Sequence, residues 1–171
     1  EEKAETMKTL LTLGKSNAKT AKTAGRVEQA ILHLAPVSLG GRKNVCPSAS
    51  EQCAASCLNT AGRGIMNSVQ QARIARTQLL FDSRPVFLSM LVAEISKLRK
   101  KARKHGRLCV VRLNGTSDII WERMPVEGFS NIFERFSDVQ FYDYTKVPVR
   151  HRHRLPANYH LTFSLSENNE G

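Results

Sequence analysis

Cys46, Cys53 and Cys57 place three of the chain's four cysteines within twelve residues, spaced Cys-x6-Cys-x3-Cys. Thiolates are soft ligands suited to zinc, copper(I) and iron–sulfur clusters, so three on one segment point first to a metal or cluster site. Pro47, Ser48 and Ser50 at one end and Gly62 and Gly64 at the other give residues 42–63 the composition of a loop. The competing readings are small buried apolar residues, or a disulfide between two of the three. No signal-peptide pattern is present, which favours a reducing cytoplasm. There clustered cysteines ligate metal or do chemistry more readily than they form structural crosslinks.

Three protein thiolates leave one iron of a 4Fe-4S cubane open to a fourth protein ligand, to water or to a small molecule, and reactivity would lie at that position. Cys109 is the fourth thiolate by count. It falls near the start of an expected strand, on the same face as Val111 and Leu113, which suits a buried core cysteine. Zinc is the alternative occupant, with a histidine or Cys109 closing a tetrahedron in a nucleic-acid-binding module. Zinc modules, however, pair their ligands in two close-set knuckles. The second pair is missing here, since His151 and His153 are separated by a single residue in a basic loop.

The elements that must position this loop follow from periodicity. Residues 30–35, ahead of Pro36, read as a first strand, and Gly40-Gly41 then opens the cysteine loop; His33 alternates with Leu32 and Leu34 as a structural residue. A helix capped by Asn59 or Thr60 carries Ile65, Met66, Val69, Ala72, Ala75 and Leu79 at helical spacing; Arg63, Arg73 and Arg76 cannot all lie on that stripe and would face solvent, the alternative being that they hold an anion near the cluster. A second helix starts at Ser83 and Pro85, buries Phe87, Leu88, Leu91, Ile95 and Leu98, and stops at His105-Gly106. Residues 107–113 form a second strand, followed by the polar turn Asn114-Gly115-Thr116-Ser117-Asp118. A helix burying Phe129, Ile132, Phe133 and Phe136 precedes a third strand over 139–144, and a fourth spans 159–165.

This order predicts an α/β fold, a partial (half) βα barrel with about four mainly parallel strands and flanking helices. In such sheets functional groups collect at the carboxyl ends of the strands. The cysteine loop, then Asn114, Ser117 and Asp118, then Tyr144 and Lys146, then Ser164 would face one rim. There Asp118 or Asn114 would orient a cofactor amine, and Lys146 would hold a carboxylate or phosphate.

Composition is compatible with one domain: 171 residues, 41% apolar and 24% charged, with no apolar run long enough to cross a bilayer. Residues 1–28 read as a polar basic segment in which Met7, Leu10, Leu11 and Leu13 pack as one or two helical turns. Residues 29–166 read as a single α/β cluster-binding domain and 167–171 as a frayed end. The net charge of +11 is concentrated in residues 15–26, 97–107 and 150–154 and would suit nucleic acid as a partner, or no partner beyond solvent. Neither Gly-x-Ser-x-Gly nor His-Glu-x2-His occurs, so those hydrolase mechanisms have no sequence support.

Several segments together carry a family resemblance. Cys46-Pro47 with Cys53 and Cys57, the helix with Arg73, Arg76 and Thr77, and the strand-turn over 111–118 are three of them. The others are the strand ending Phe141-Tyr142-Asp143-Tyr144-Thr145-Lys146 and the segment 155–164. In this order they resemble the phage gene product 88 family over nearly the whole chain, which implies a bacteriophage origin and the cytoplasm of an infected bacterial host. A looser resemblance is to radical SAM enzymes, which hold a 4Fe-4S cluster by three cysteines after the first strand of an incomplete barrel. That resemblance implies S-adenosylmethionine at the open iron. The spacing departs from their typical Cys-x3-Cys-x2-Cys, and four strands are expected here rather than six. The overall expectation is a phage-encoded iron–sulfur protein with a small-molecule ligand at an open iron, the zinc-stabilised nucleic-acid module being the alternative.

Overall fold

Alternating burial explains why the strands form where they do. In Leu108–Arg112 the buried positions are Cys109 and Val111, and in Gln140–Thr145 they are Phe141, Asp143 and Thr145, the period of two that a half-buried strand requires. The computed structural model describes residues 9–14, 25–36, 39, 44–57, 60–147 and 154–165. Five strands, β1 (Leu11–Leu13), β2 (Val27–Leu32), β3 (Leu108–Arg112), β4 (Gln140–Thr145) and β5 (Tyr159–Phe163), form one sheet in the order of the chain. β1 runs antiparallel to β2, whereas β2, β3, β4 and β5 are mutually parallel, with Ala30 opposite Val111 and Val111 opposite Phe141.

Parallel neighbours need a crossover connection. Between β2 and β3 this is a pair of helices, α2 (Asn67–Asp82) and α3 (Arg84–Lys104), preceded by the single turn α1 (Glu51–Ala55). α3 carries Pro85 in its first turn and buries Phe87, Leu88, Leu91, Val92, Ile95, Leu98 and Ala102 on one face, against β2 and β3. It ends at His105, with Gly106 at φ +60 taking the left-handed position that follows a helix end. A second apolar centre joins the β3-to-β4 connection to the sheet. Phe133, in the short helix α4 (Ile132–Arg135), stacks on Tyr159 at 4.1 Å and meets Phe141 edge-on at 5.0 Å.

Several expectations are corrected. The sheet has five strands rather than four: within the apolar patch at Leu10, Leu11 and Leu13, residues Leu11–Leu13 pair with β2 as strand β1 and not as helical turns, and Glu94 on α3 accepts the Leu10 and Leu11 backbone N–H groups at 2.7 and 2.8 Å. Met7 lies outside the described residues. The first strand starts at Val27, earlier than expected, and the helix expected from residue 60 begins at Asn67 after a 3-10 turn at Gly62–Ile65, which leaves Ile65 and Met66 exposed. α2 buries Arg73, Thr77 and Leu80, so Arg73 does not face solvent. Thr77 is what turns this face inward: its Oγ1 donates to Arg73 O and accepts the Ala35 N–H at 2.9 Å, tying α2 to the end of β2. Phe129 is exposed rather than part of the stripe formed by Ile132, Phe133 and Phe136.

Gly115 shows how closely the end of β2 approaches the turn after β3. Its N–H donates to Leu32 O at 3.0 Å, and a Cβ built on it would stand 2.5 Å from that oxygen and 2.7 Å from Ile31 Cγ2. The first of these contacts is with backbone and cannot rotate away. Gly115→Ala is therefore expected to cost about 1–3 kcal/mol, the usual range for forcing an atom into filled space. Urea unfolding measures it, and an unchanged midpoint would show that the two strand ends can separate freely.

Candidate functional site

The turn that follows β3 is built around Asn114. Its carboxamide oxygen accepts from Ser117 Oγ at 2.8 Å, the Ile119 N–H at 2.9 Å and Trp121 Nε1 at 3.1 Å, and its Nδ2 donates to Ile119 O at 3.0 Å. Its backbone N–H donates to Asp143 Oδ1 at 2.7 Å on β4, and Tyr159 on β5 donates its hydroxyl to Oδ2 of the same carboxylate. Asn114 and Asp143 are almost fully buried, so each bond operates in a poorly screened environment.

Asp118, at the far end of the turn, joins it to β4 a second time. Its Oδ2 accepts from Thr145 Oγ1 at 3.0 Å and from the Lys146 N–H at 2.9 Å, while its own N–H donates to Val45 O at 2.8 Å. This last bond brings the cysteine loop against the strand ends. Cys46 follows at once, its Sγ 3.5 Å from Thr116 O. Ser50 then caps α1, its Oγ accepting the Cys53 N–H at 3.1 Å, and fixes where Cys53 leaves the loop.

The outcome is one cavity of about 380 Å³. Cys46, Cys53 and Cys57 line one wall, and Asn114, Ser117, Asp118, Tyr144, Lys146 and Ser164 line the other, so all nine expected residues border the same space. They do not offer equal chemistry to it. The donors and acceptors of the Asn114 side chain are engaged by the turn itself, and the Ser117 hydroxyl is engaged by Asn114. Asn114 therefore positions the wall, Asp118 ties it to β4 through its engaged Oδ2, and Lys146 and Ser164 follow directly on the ends of β4 and β5.

Arg112 also lines the cavity and was not among the expected residues. The signal for it was present, since a lone cation in the apolar run Val110-Val111-Arg112-Leu113 alternates away from the core at the strand's carboxyl end. Arg73 and Arg76 on α2 add positive charge nearby. Burial, followed by the fields of Arg73, Arg112 and Arg76, pushes His33 down to about 4, so its imidazole is neutral at pH 7. Burial lowers the Arg73 pKa, and the neighbouring Cys57 opposes that shift. Burial, with Cys57, Asp118 and Cys53 close by, pushes the Cys46 thiol up to about 12, so without a metal it stays protonated.

Among the described residues no group of three His, Cys, Asp or Glu side chains is gathered so as to hold a metal ion. Cys109 is buried at the start of β3, paired in register with Glu28, away from the strand ends that form the cavity. The basic stretch at the end of α3 is partly neutralised: Lys101 and Arg107 both bind Glu28, and Arg99 and Arg103 both bind Asp138. His151 and His153, with most of the other two basic stretches, lie outside the described residues. No helix among the described residues is long and apolar enough to cross a membrane.

The family model described as Gene product 88 aligns with residues 10–171 of the chain. No curated protein and no solved structure matches the chain.

Two expectations follow from this geometry. Asn114→Ala would leave the Trp121 indole N–H and the Ile119 N–H without their acceptor, at roughly 1–3 kcal/mol for each buried donor. Urea unfolding is expected to show that loss, and a midpoint within error of wild type would mean that the turn closes without the carboxamide. His33 sets a pH dependence. Its folded pKa, about 4, lies below the usual value of 6.5, so between these values the unfolded chain binds the extra proton and stability falls as pH falls. His33→Gln is expected to flatten the unfolding free energy between pH 6.5 and 4, and an unaltered slope would place the titration elsewhere.

Proposed function

We propose, from the premise that the chain belongs to the gene product 88 family of phage proteins, that Cys46, Cys53 and Cys57 hold a 4Fe-4S cluster whose open iron faces the polar wall of the cavity. One observation carries the reading: three thiols line the same cavity as the carboxyl ends of three parallel strands. A cubane binds each protein thiolate through a different iron, so the thiols need to border a common space rather than converge on one point. Binding would deprotonate Cys46 and draw the cysteine loop together, so cluster insertion is coupled to loop order and to pH. The positive groups around the site, Arg112, Lys146 and Arg73, suit the negative charge that three thiolates bring.

The four parallel strands β2 to β5, in the order of the chain, support the reading of a partial βα barrel, with β1 closing the first edge. In that arrangement the open iron takes a small ligand, and S-adenosylmethionine is the one to test first. Such a protein would work in the cytoplasm of the infected host. The zinc-stabilised nucleic-acid module has less support, because four of the cations around the end of α3 are held by Glu28 and Asp138.

Anaerobic reconstitution with iron and sulfide tests the proposal. The expected result is a brown protein with about four irons and four sulfides per chain, the stoichiometry of the cubane, and broad visible absorption that Cys53→Ala abolishes. A colourless protein with one zinc per chain and no sulfide would overturn it.

A further inference from the structure

We infer that Arg112 is an oxyanion subsite of this cavity: its guanidinium receives the carboxylate or phosphate end of the small ligand, with Lys146 as the second cation. For its location the inference rests on the cavity reading above, since the rest of the ligand would then lie toward the cysteine wall.

Arg112 ends β3 with a side chain that is 22% exposed. One edge of its guanidinium is fixed: Nε donates to Asn114 O at 3.2 Å, and Cζ sits 5.0 Å from the centre of the Tyr144 ring. Nη1 and Nη2 make no hydrogen bond among the described residues. The nearest carboxylate, Asp143, is 3.9 Å from Nε, beyond hydrogen-bond distance, and its oxygens already accept the Asn114 N–H and the Tyr159 hydroxyl. The two terminal nitrogens of a guanidinium held in this way form a preorganised fork. A planar carboxylate or a phosphate can accept from both at once, at a small cost in side-chain entropy.

The surrounding charge points the same way. Among the described residues lining the cavity Asp118 is the one carboxylate, and its Oδ2 accepts from Thr145 Oγ1 and the Lys146 backbone N–H. Lys146 supplies a second cation on that wall, with its Nζ 3.4 Å from Leu165 O. Behind the wall, Arg73 and Arg76 share with Arg112 the space around a His33 ring that carries no charge at neutral pH. The two cations at these strand ends, Arg112 and Lys146, attract an oxyanion more than a neutral or cationic ligand end.

Isothermal titration calorimetry of the full chain tests this, before and after iron–sulfide reconstitution, with sodium phosphate and sodium malonate at matched ionic strength. The two anions separate tetrahedral from planar recognition. Saturable binding of at least one anion is expected, weakened about tenfold or more in Arg112→Gln, the effect of losing a charge-assisted bidentate pair. Arg112→Lys should retain part of the affinity, because the charge stays while the fork is lost. Lys146→Gln, just past the end of the neighbouring strand β4, should weaken binding by a smaller factor, and it provides the readout if Arg112→Gln fails to fold. Absence of saturable binding to either anion in the wild type would overturn the inference, as would equal affinity in folded Arg112→Gln or in both Arg112→Lys and Lys146→Gln. Anion binding without iron or sulfide uptake would overturn the cluster and leave the subsite standing, and the converse result would do the reverse.

Discussion

The carboxamide of Asn114 is the constraint on which the rest of the site depends. From one buried position it fixes the turn after β3, holds the Trp121 indole, and through its backbone meets the Asp143 carboxylate that Tyr159 also reaches. Polar bonds thereby tie the turn after β3 to β4, and β4 to the first residue of β5, so that three parallel strands share one buried carboxylate. Such a network is worth most when every member is satisfied and is costly when one is missing. It also sets the heights of Arg112 before the turn and Asp118 after it, and so determines what the cavity presents.

The two walls of the cavity differ physically. One consists of strand ends and a tightly bonded turn and is rigid. The other is a loop with a single helical turn, attached through the Asp118 N–H to Val45 O and the Cys46 contact with Thr116. The thiols are thus carried by a loop, whereas the polar groups opposite them are held by strand ends and a bonded turn. Burial, the first cause of the raised Cys46 pKa, keeps that thiol protonated at neutral pH in the absence of a metal.

How much of this was legible in the sequence depends on the kind of interaction. The apolar stripe of α3 and the alternation of β3, β4 and β5 are local signals, and they gave the parallel core and the shared rim. Residues Leu11–Leu13 carry no usable period over three residues; they become a strand by pairing with β2, and Glu94, distant in sequence, holds the Leu10 and Leu11 backbone N–H groups. The burial of Arg73 was hidden for a similar reason, since Thr77 turns that face of α2 inward by bonding to Ala35. Asn114 and Ser117 were recognised as site residues, but not that they serve each other. That distinction depends on Trp121 folding back over the turn, which spacing alone does not encode.

The parallel order of the strands has a consequence for assembly in time. Thr116 reaches Leu34 across 82 residues of chain, and Glu28 reaches Arg107 across 79. Pairings this distant carry a large loop-closure cost and form late in folding. The segments lining the cavity follow β2, β3, β4 and β5, so its full lining assembles only when those strands are paired. A molecule that binds this complete lining and not the unfolded chain stabilises the fold by mass action, so its occupancy reports the late pairings as well as the site.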